Sequence, residues 1–191
     1  LSRAEQSHFP RLIIVGNLEK FKRVDLALQV LSELNQRGNI HVCLDVIGAG
    51  SEEDNLKMQA VDLGIAEQAV FHGFQQKESL AEFYRHGALM LFPSEYDIWG
   101  LVMAESLAAG VPVISSPEPG AASELIRPGQ TGEIVNYDDV KVVAAKIEEL
   151  LLDTQRLKQM SQQCRSFAQE NLSLQSMAEG FSTHFIPNES R

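Results

Sequence analysis

The feature that most constrains the fold is a regular alternation of short apolar runs with longer segments of helical periodicity, separated by short loops rich in glycine. The predicted strands are residues 11–15, 41–47, 69–72, 88–92, 111–115 and 132–135. The predicted helices are residues 24–37, 52–63, 77–86, 98–109, 121–126, 138–152 and 154–170. Apolar strands that alternate with helices are typical of a parallel sheet covered on both faces. We therefore predict an α/β domain with a doubly wound, Rossmann-like parallel sheet of about six strands.

The loops that follow the strands are the expected place for a binding site, because doubly wound sheets bind ligands at the carboxyl ends of their strands. In this chain these loops come after Gly16, Gly48, Gly73, Pro93 and Ser115. The unusual charged and glycine-rich residues of the chain fall in the same loops. We therefore predict one ligand cleft at this edge of the sheet.

Composition and charge exclude several classes of function. The chain has 191 residues and a formal net charge of −10, which argues against a general surface for nucleic acid or anionic membranes. Cys43 and Cys164 are far apart, and we interpret both as buried thiols in a reducing compartment. With no signal peptide pattern and no apolar run long enough to span a bilayer, we expect a cytoplasmic protein. The first residue is Leu1, so we expect a piece of a longer protein.

A single acidic residue interrupts the most apolar helix. Residues 98–109, with Asp97 as the predicted N-cap, are almost entirely apolar except for Glu105, so we predict a helix buried nearly all round. A buried carboxylate without a partner is strongly unfavourable. One interpretation is an internal partner, such as a lysine, an arginine or backbone amides. The other is that Glu105 lines a pocket and accepts hydrogen bonds from a polyhydroxylated ligand.

A basic cluster follows the first strand. Lys20, Lys22 and Arg23 precede the first long helix, where cations are locally unfavourable. A bound phosphate would explain them, held by helix N–H groups and positive charge together. The alternative is a solvated cluster paired with Glu19 and Asp25. Neither a Walker sequence nor the glycine pattern of classical NAD binding follows this strand.

The remaining loops give weaker signals. The glycines at residues 48 and 50 permit close approach to a ligand, although a tight turn explains them equally well. Phe74 is either a core residue or the edge of a base pocket. Residues 117–124 form a second candidate anion site. The histidines have no ligand spacing, so we predict no metal site, and we interpret His72 and His86 as structural.

Taken in order, these motifs resemble those of retaining glycosyltransferases of the GT-B fold, the type called glycosyl transferases group 1. Seven residues separate Asp97 from Glu105, as they separate two glutamates in that family, and Gly16 and Lys22 match its glycine-to-lysine element. The other matching residues are Gly48, Gly50, Gly73, Phe74, Glu124, Gly129, Thr131 and Gly132. The match runs from Arg11 to about Ile186. It covers only the C-terminal, donor-binding half of such an enzyme.

The resemblance implies transfer of a sugar, with retention, from a nucleoside-diphosphate sugar to an acceptor such as a growing glycan or a lipid-linked saccharide. It implies that Glu105 binds the ribose hydroxyls, Lys22 neutralises the diphosphate and Asp97 contacts the sugar. Asp97 and Lys22 are then the catalytic residues, and no cofactor or metal is expected. The implied donor-binding residues are Gly16, Asn17, Lys22, Arg23, Gly48, Gly73, Phe74, Gln75, Asp97, Ile98, Trp99, Gly100, Leu101, Val102 and Glu105. Among them, the amides of residues 99–102 would hold phosphate, and residues 73–75 would face the base.

The chain departs from the family pattern at four positions. Asn17 stands where the family usually has an arginine that joins the lysine on the diphosphate, and Arg23 or Lys20 would have to substitute for it. Asp97 replaces a glutamate and is one methylene shorter. Residues 98 and 99 replace the common Gly-Phe pair. These changes leave open a non-catalytic binding module, or another GT-B enzyme such as an epimerase or a phosphorylase.

The predicted division of the chain is a nucleotide-sugar-binding domain over residues 1–170 and a C-terminal helix and tail over residues 171–191. Met177, Phe181 and Phe185 would form one apolar stripe on that helix. The stripe packs on the domain's own sheet, on the absent N-terminal acceptor-binding domain, or on a second copy in a homodimer. Any membrane association, at the inner face, would come through the missing domain.

Overall fold

The chain folds around one parallel sheet of six strands, in a computed structural model that describes residues 9–97 and 99–172. The strands are β1 (Arg11–Val15), β2 (Cys43–Ile47), β3 (Ala69–Phe71), β4 (Gly87–Phe92), β5 (Val113–Ser115) and β6 (Gly132–Ile134). The helices are α1 (Val24–Arg37), α2 (Glu53–Asp62), α3 (Lys77–His86), α4 (Leu101–Ala109), α5 (Gly120–Leu125), α6 (Val140–Leu152) and α7 (Thr154–Asn171). A short 3-10 helix, Lys20–Lys22, precedes α1.

The strand order in the sheet is β3-β2-β1-β4-β5-β6, and every neighbouring pair is parallel. The chain therefore runs outward from β1 in one direction and from β4 in the other. This order confirms the predicted doubly wound, Rossmann-like sheet. The loops after β1 and β4 lie side by side at the point where the direction reverses, which is where such sheets form a crevice.

Two apolar cores cover the two faces of the sheet. Leu12 and Leu44 point into one core with residues of α1, α2 and α6. Ile13 and Ile47 point into the other, with residues of α3, α4 and α5. Because successive strand residues face opposite sides, both cores draw on the same strands. The sheet is thus closely packed on both faces, and this packing positions the loops at its edge.

Two strands begin later than the sequence predicts. Strand β2 begins at Cys43 because its partner strand β1 begins at Arg11, which pairs with Cys43 in the register. Strand β5 begins at Val113 because the preceding Val111 N–H donates to Ser106 O and still belongs to the end of α4. The short 3-10 helix was not predicted. Apart from the start of α4, the other strands and helices agree with the predicted bounds to within about two residues.

The start and the burial of α4 correct two further predictions. The helix begins at Leu101, not at residue 98, because Gly100 has a left-handed backbone (φ 54°) that breaks the helix there. A Cβ on Gly100 would lie 2.4 Å from Met103 Cε. The helix is also not buried all round, since Leu101 is 71% exposed. Its buried side consists of Met103, Ser106 and Leu107.

The structure tests the predictions on the cysteines and on membrane-spanning helices, but not those on Ile98 and the C-terminal stripe. Both cysteines are free and buried, which confirms that part of the interpretation. In the described part of the chain, no helix is long and apolar enough to cross a membrane. Ile98 and the predicted C-terminal stripe of Met177, Phe181 and Phe185 lie outside the described residues.

Candidate functional site

A cleft of about 440 Å³ opens between the loops that follow β1 and β4. It lies at the switch point of the sheet, where a ligand site is expected. Its lining residues are Val15, Gly16, Asn17, Phe21, Lys22, Tyr96, Asp97, Trp99, Leu101 and Val102. Seven of these belong to the predicted donor-binding set: Gly16, Asn17, Lys22, Asp97, Trp99, Leu101 and Val102. The fold therefore brings together residues that are up to about 85 positions apart in the sequence, as the switch-point rule anticipates.

A tight ion pair crosses the cleft. Lys22 Nζ lies 2.5 Å from Asp97 Oδ2, and each side chain is 18% exposed. The same ammonium lies 5.4 Å from the ring centroids of Phe21 and Phe92. Aromatic faces attract cations, so the lysine is held by one acid and two rings. The cleft thus contains one positioned positive charge.

Asp97 also organises the loop before α4. Its Oδ1 accepts hydrogen bonds from the N–H groups of Trp99 at 3.1 Å and Gly100 at 2.7 Å. Burial would raise the pKa of Asp97, but the bonds from Lys22 and Gly100 outweigh it and hold the pKa below its ordinary value. Asp97 therefore caps the turn that precedes α4. The predicted role of Asp97 as the N-cap of the helix is wrong, because Gly100 is the residue that directly precedes α4. Two of the four amides predicted to hold phosphate are occupied by Asp97, whereas Leu101 and Val102 belong to the first turn of α4, whose N–H groups have no partner within the helix.

Glu105 has an internal partner that the sequence did not predict. Tyr84 Oη donates a hydrogen bond to Glu105 Oε2 at 3.1 Å. Among the described residues, no charged side chain and no backbone amide, the alternatives considered above, bonds to this carboxylate. Leu101 and Val102 line the cleft and precede Glu105 by four and three residues, so Glu105 lies one turn further along the same side of α4.

The two other basic residues of the first loop face a different cavity. Arg23 bonds to Asp25 at 3.1 Å and to Glu95 at 2.5 Å. Together with Lys20 it lines a neighbouring cavity of about 680 Å³ that does not include Lys22. Arg23 thus has the charged partner proposed in the alternative interpretation, while Glu19 bonds to Ser51 instead. Of the three basic residues, Lys22 lines the main cleft.

The glycine loop after β2 packs against the loop after β1. Gly16 N–H donates to Ile47 O at 3.0 Å, and Gly48 N–H donates to Gly73 O at 2.9 Å. A Cβ on Gly48 would lie 1.8 Å from Gly16 O, so only glycine fits at this contact. The close approach made by Gly48 is therefore to another loop of the protein. The approach of Gly48 to a ligand stays a prediction.

The loop after β3 lies beside these loops but does not line the main cleft. Phe74 is 73% exposed, so its interpretation as a core residue is wrong. Gln75 Nε2 donates to His72 O at 2.8 Å, which closes the loop on itself. A base-binding role for residues 73–75 stays a prediction. So does the second anion site, whose loop leads into the six-residue helix α5.

Asp45 forms a buried charged cluster that the sequence analysis missed. It lies in the middle of β2, is 2% exposed, and bonds to Arg11 and to His72 Nε2, the latter at 2.6 Å. Burial would raise the pKa of Asp45, but the bonds from His72 and Arg11 lower it overall. The contact agrees with the structural interpretation of His72. An acid within an apolar strand was the available signal, by the same reasoning that identified Glu105.

In the part of the chain that the structure describes, no three His, Cys, Asp or Glu side chains are close enough together to hold a metal ion.

The sequence matches a family model described as "Glycosyl transferases group 1" over residues 2–167. Among curated proteins, it is 30% identical over 148 residues to D-inositol 3-phosphate glycosyltransferase of Acidothermus cellulolyticus, covering 73% of this chain and 33% of that protein. It is 28% identical over 169 residues to a GDP-mannose-dependent alpha-(1-6)-phosphatidylinositol monomannoside mannosyltransferase of Mycolicibacterium smegmatis, covering 85% of this chain and 44% of that protein. The chain thus spans less than half the length of these relatives.

Solved structures share the fold. S. aureus TarM, in complex with UDP and alpha-GlcNAc-glycerol among other ligands, superposes with a TM-score of 0.84 at 20% identity, covering 93% of this chain and 35% of that one. Anabaena HepE in complex with UDP and glucose gives a TM-score of 0.81 at 20% identity, covering 95% of this chain and 50% of that one. The fold is therefore that of one half of the two-domain GT-B architecture.

Proposed function

Because the chain belongs to the family of glycosyl transferases group 1, we propose that it is the donor-binding half of a retaining glycosyltransferase. Its donor is a nucleoside-diphosphate sugar, and its acceptor is a growing glycan or a lipid-linked saccharide. The acceptor-binding half belongs to an N-terminal domain that this chain does not contain.

The observation that carries this proposal is the position of Lys22. It is a single positioned ammonium, paired with Asp97, in a cleft at the switch point of a doubly wound sheet. The first turn of α4 starts at the same cleft, and N–H groups at a helix N-terminus favour phosphate oxygens. A cation and a helix N-terminus that meet at one cleft suit a diphosphate.

The proposed reaction breaks the bond between the anomeric carbon and the diphosphate oxygen, which keeps the electron pair. The acceptor oxygen bonds to the anomeric carbon on the same face and loses its proton. The transition state is oxocarbenium-like, with negative charge growing on the leaving diphosphate. Lys22 and the amides of Leu101 and Val102 stabilise that charge. Any general base comes from the missing half.

The proposal gives roles to the remaining donor-binding residues as well. Glu105 accepts hydrogen bonds from the ribose hydroxyls, and Asp97 contacts the sugar next to the phosphate held by Lys22. Residues 73–75 lie beside the base. Asp97 is shorter than the glutamate of the family, yet it reaches Lys22 at 2.5 Å, so the acid and the cation remain coupled.

A panel of nucleotides tests the proposal. Thermal shift of the chain with UDP, GDP and ADP, and with the matching nucleosides, is followed by calorimetry on the best ligand. Both UDP and GDP belong in the panel, since one relative is named for GDP-mannose and HepE was solved with UDP. We expect one nucleoside diphosphate to stabilise the chain and its nucleoside to do so far less. No stabilisation by any of them at millimolar concentration would contradict the proposal.

The isolated chain is expected to transfer no sugar. Acceptor positioning and exclusion of water require both halves of the cleft. Incubation of the chain with UDP-glucose or GDP-mannose and a glycan acceptor tests this point, with the full-length protein as the control. Robust transfer by residues 1–191 alone would contradict the half-enzyme proposal, and no turnover by the full-length protein would favour a non-catalytic binding module.

A further inference from the structure

We propose that Tyr84 is a positioning residue that holds the carboxylate of Glu105 in place for the ribose of the donor. The inference rests on the proposed function above, and it names a residue outside the motifs that carry the family resemblance. It concerns the contact between α3 and α4, which pack on the same face of the sheet.

The tyrosine is itself fixed. Tyr84 is 5% exposed and belongs to the apolar core that includes Ile13, Ile47 and Met103. Its ring is packed within this core, so its hydroxyl has one position relative to α4. From that position it donates to Glu105 Oε2 at 3.1 Å. A side chain on one helix therefore fixes the orientation of a carboxylate on the next.

The carboxylate has one oxygen held and one available. Among residues 9–97 and 99–172, Oε1 of Glu105 accepts no hydrogen bond. Immobilising a glutamate side chain has a cost in rotamer entropy. Tyr84 makes this loss part of folding, so the ligand meets a carboxylate that is already oriented. This is the physical meaning of preorganisation in a binding site.

The tyrosine acts as a donor throughout the physiological pH range. Burial and the neighbouring Glu105 carboxylate both raise the pKa of Tyr84 far above its ordinary value. The phenol therefore stays protonated. Its O–H always points a proton at Glu105, so the hydroxyl keeps the same carboxylate oxygen and leaves the other for ribose hydroxyls.

The alternative is that Tyr84 only packs in the core. Tyr137 provides a matched control for this possibility. It is 2% exposed, lies in the opposite core, and donates its own buried hydrogen bond to Ile114 O at 2.8 Å. Either substitution removes the hydroxyl of a buried tyrosine together with the hydrogen bond that it donates. Only Tyr84 touches the proposed ribose site.

The experiment measures the preference for ribose over deoxyribose. UDP and 2′-deoxy-UDP, or GDP and 2′-deoxy-GDP if the panel favours guanine, are titrated by calorimetry into the wild type and the variants Tyr84→Phe, Tyr137→Phe and Glu105→Gln. We expect the wild type to prefer the ribonucleotide by about tenfold, the value of one charged hydrogen bond. Tyr84→Phe should lower this preference to about threefold or less, and Tyr137→Phe should leave it unchanged.

A double variant tests whether Tyr84 acts through Glu105. In the Glu105→Gln background, Tyr84→Phe should have no further effect on the preference, because the group that it positions is already changed. If Tyr84→Phe melts below the working temperature, Tyr84→Met removes the hydroxyl with a flexible side chain that can fill the core, and repeats the test.

The outcomes separate this inference from the proposed function. A preference that is lost in Glu105→Gln but kept in Tyr84→Phe overturns the positioning role alone. A wild type that binds UDP without any ribose preference overturns the ribose role of Glu105 and the positioning role together. Loss of preference in Tyr137→Phe as large as in Tyr84→Phe would mean a general effect of core packing, and also overturns the inference.

Discussion

Lys22 and Asp97, which are 75 residues apart, join the loops after β1 and β4 by an ion pair of 2.5 Å. One of the two is proposed to hold the diphosphate and the other the sugar. A diphosphate in the cleft would share the lysine with Asp97. The pair also links the two loops that form the cleft. Removing either charge is therefore expected to change both the electrostatics of the cleft and the contact between its loops.

We expect Lys22→Ala to weaken UDP binding by about tenfold or more, and uridine binding much less, because the ammonium bonds to phosphate charge. Rising salt should also weaken UDP binding to the wild type, since part of the attraction is between charges. Calorimetry at two ionic strengths measures both effects. Lys20→Ala, which removes a cation of the neighbouring cavity, is the control and should change little. An equal loss for UDP and uridine would show that Lys22 does not contact phosphate.

Glu105→Gln should weaken binding of a nucleoside diphosphate by about 1.5–3 kcal/mol, because charged hydrogen bonds to the ribose are lost. The fold should remain, since glutamine still offers an acceptor to Tyr84. Affinity is measured by calorimetry and the fold by circular dichroism. Glu78→Gln, at the exposed start of α3, serves as the matched control. Unchanged affinity in Glu105→Gln would leave this carboxylate a structural role only.

Asn17→Arg should raise the affinity for UDP by roughly twofold to fivefold, because it adds a second cation to the lining of the cleft at an exposed position. The salt dependence of binding should become steeper at the same time. Asn17→Gln extends the side chain without charge and should leave both properties near the wild type. A gain in affinity that is equal for uridine would contradict a phosphate contact.

Asp45→Asn should lower the free energy of unfolding by about 3–5 kcal/mol near neutral pH, because Arg11 would lose its buried acid. The pKa of Asp45 is lowered in the folded state, so its contribution to stability is present above the unfolded value of about 3.9 and is lost as the pH falls through the folded value. The difference between wild type and variant should therefore shrink below about pH 4.

Urea unfolding at several pH values measures this difference. Asp62→Asn, at the exposed end of α2, is the control and should show a small effect with no such pH dependence. A difference between wild type and Asp45→Asn that stays constant down to pH 2 would show that the Asp45 cluster does not control acid stability.

The sequence predicted the sheet well because its strands carry local signals. Most of the strands are short, mainly apolar runs close to a glycine or proline, and the alternation with helices implies parallel strands without any long-range information. The position of the cleft followed from the same order. Agreement of local pattern and global fold is expected where the chain is fully packed.

The start of α4 and the partner of Glu105 could not be predicted, for two different reasons. Gly100 marks a helix end or a loop equally well, and its left-handed backbone becomes evident only from the packing around it. The contact between Tyr84 and Glu105 depends on how α3 and α4 cross, which periodicity within either helix does not specify. Asp45 differs from both, since its position in an apolar strand was a usable signal.

The loops after β1, β2 and β3 are joined to one another by main-chain hydrogen bonds. Hydrogen bonds join Gly16 to Ile47, Leu18 to Ala49, and Gly48 to Gly73, and none of them involves a side chain. Substitutions at side chains that project from these loops should therefore alter the proposed donor site while the main-chain bonds between the loops remain. Gly48 and Gly50 are exceptions, because an added Cβ would meet Gly16 O and Leu18 O, respectively. The bonds that hold the loops together are thus independent of the side chains that line the cleft, which makes this edge of the sheet a favourable place to vary the proposed donor site.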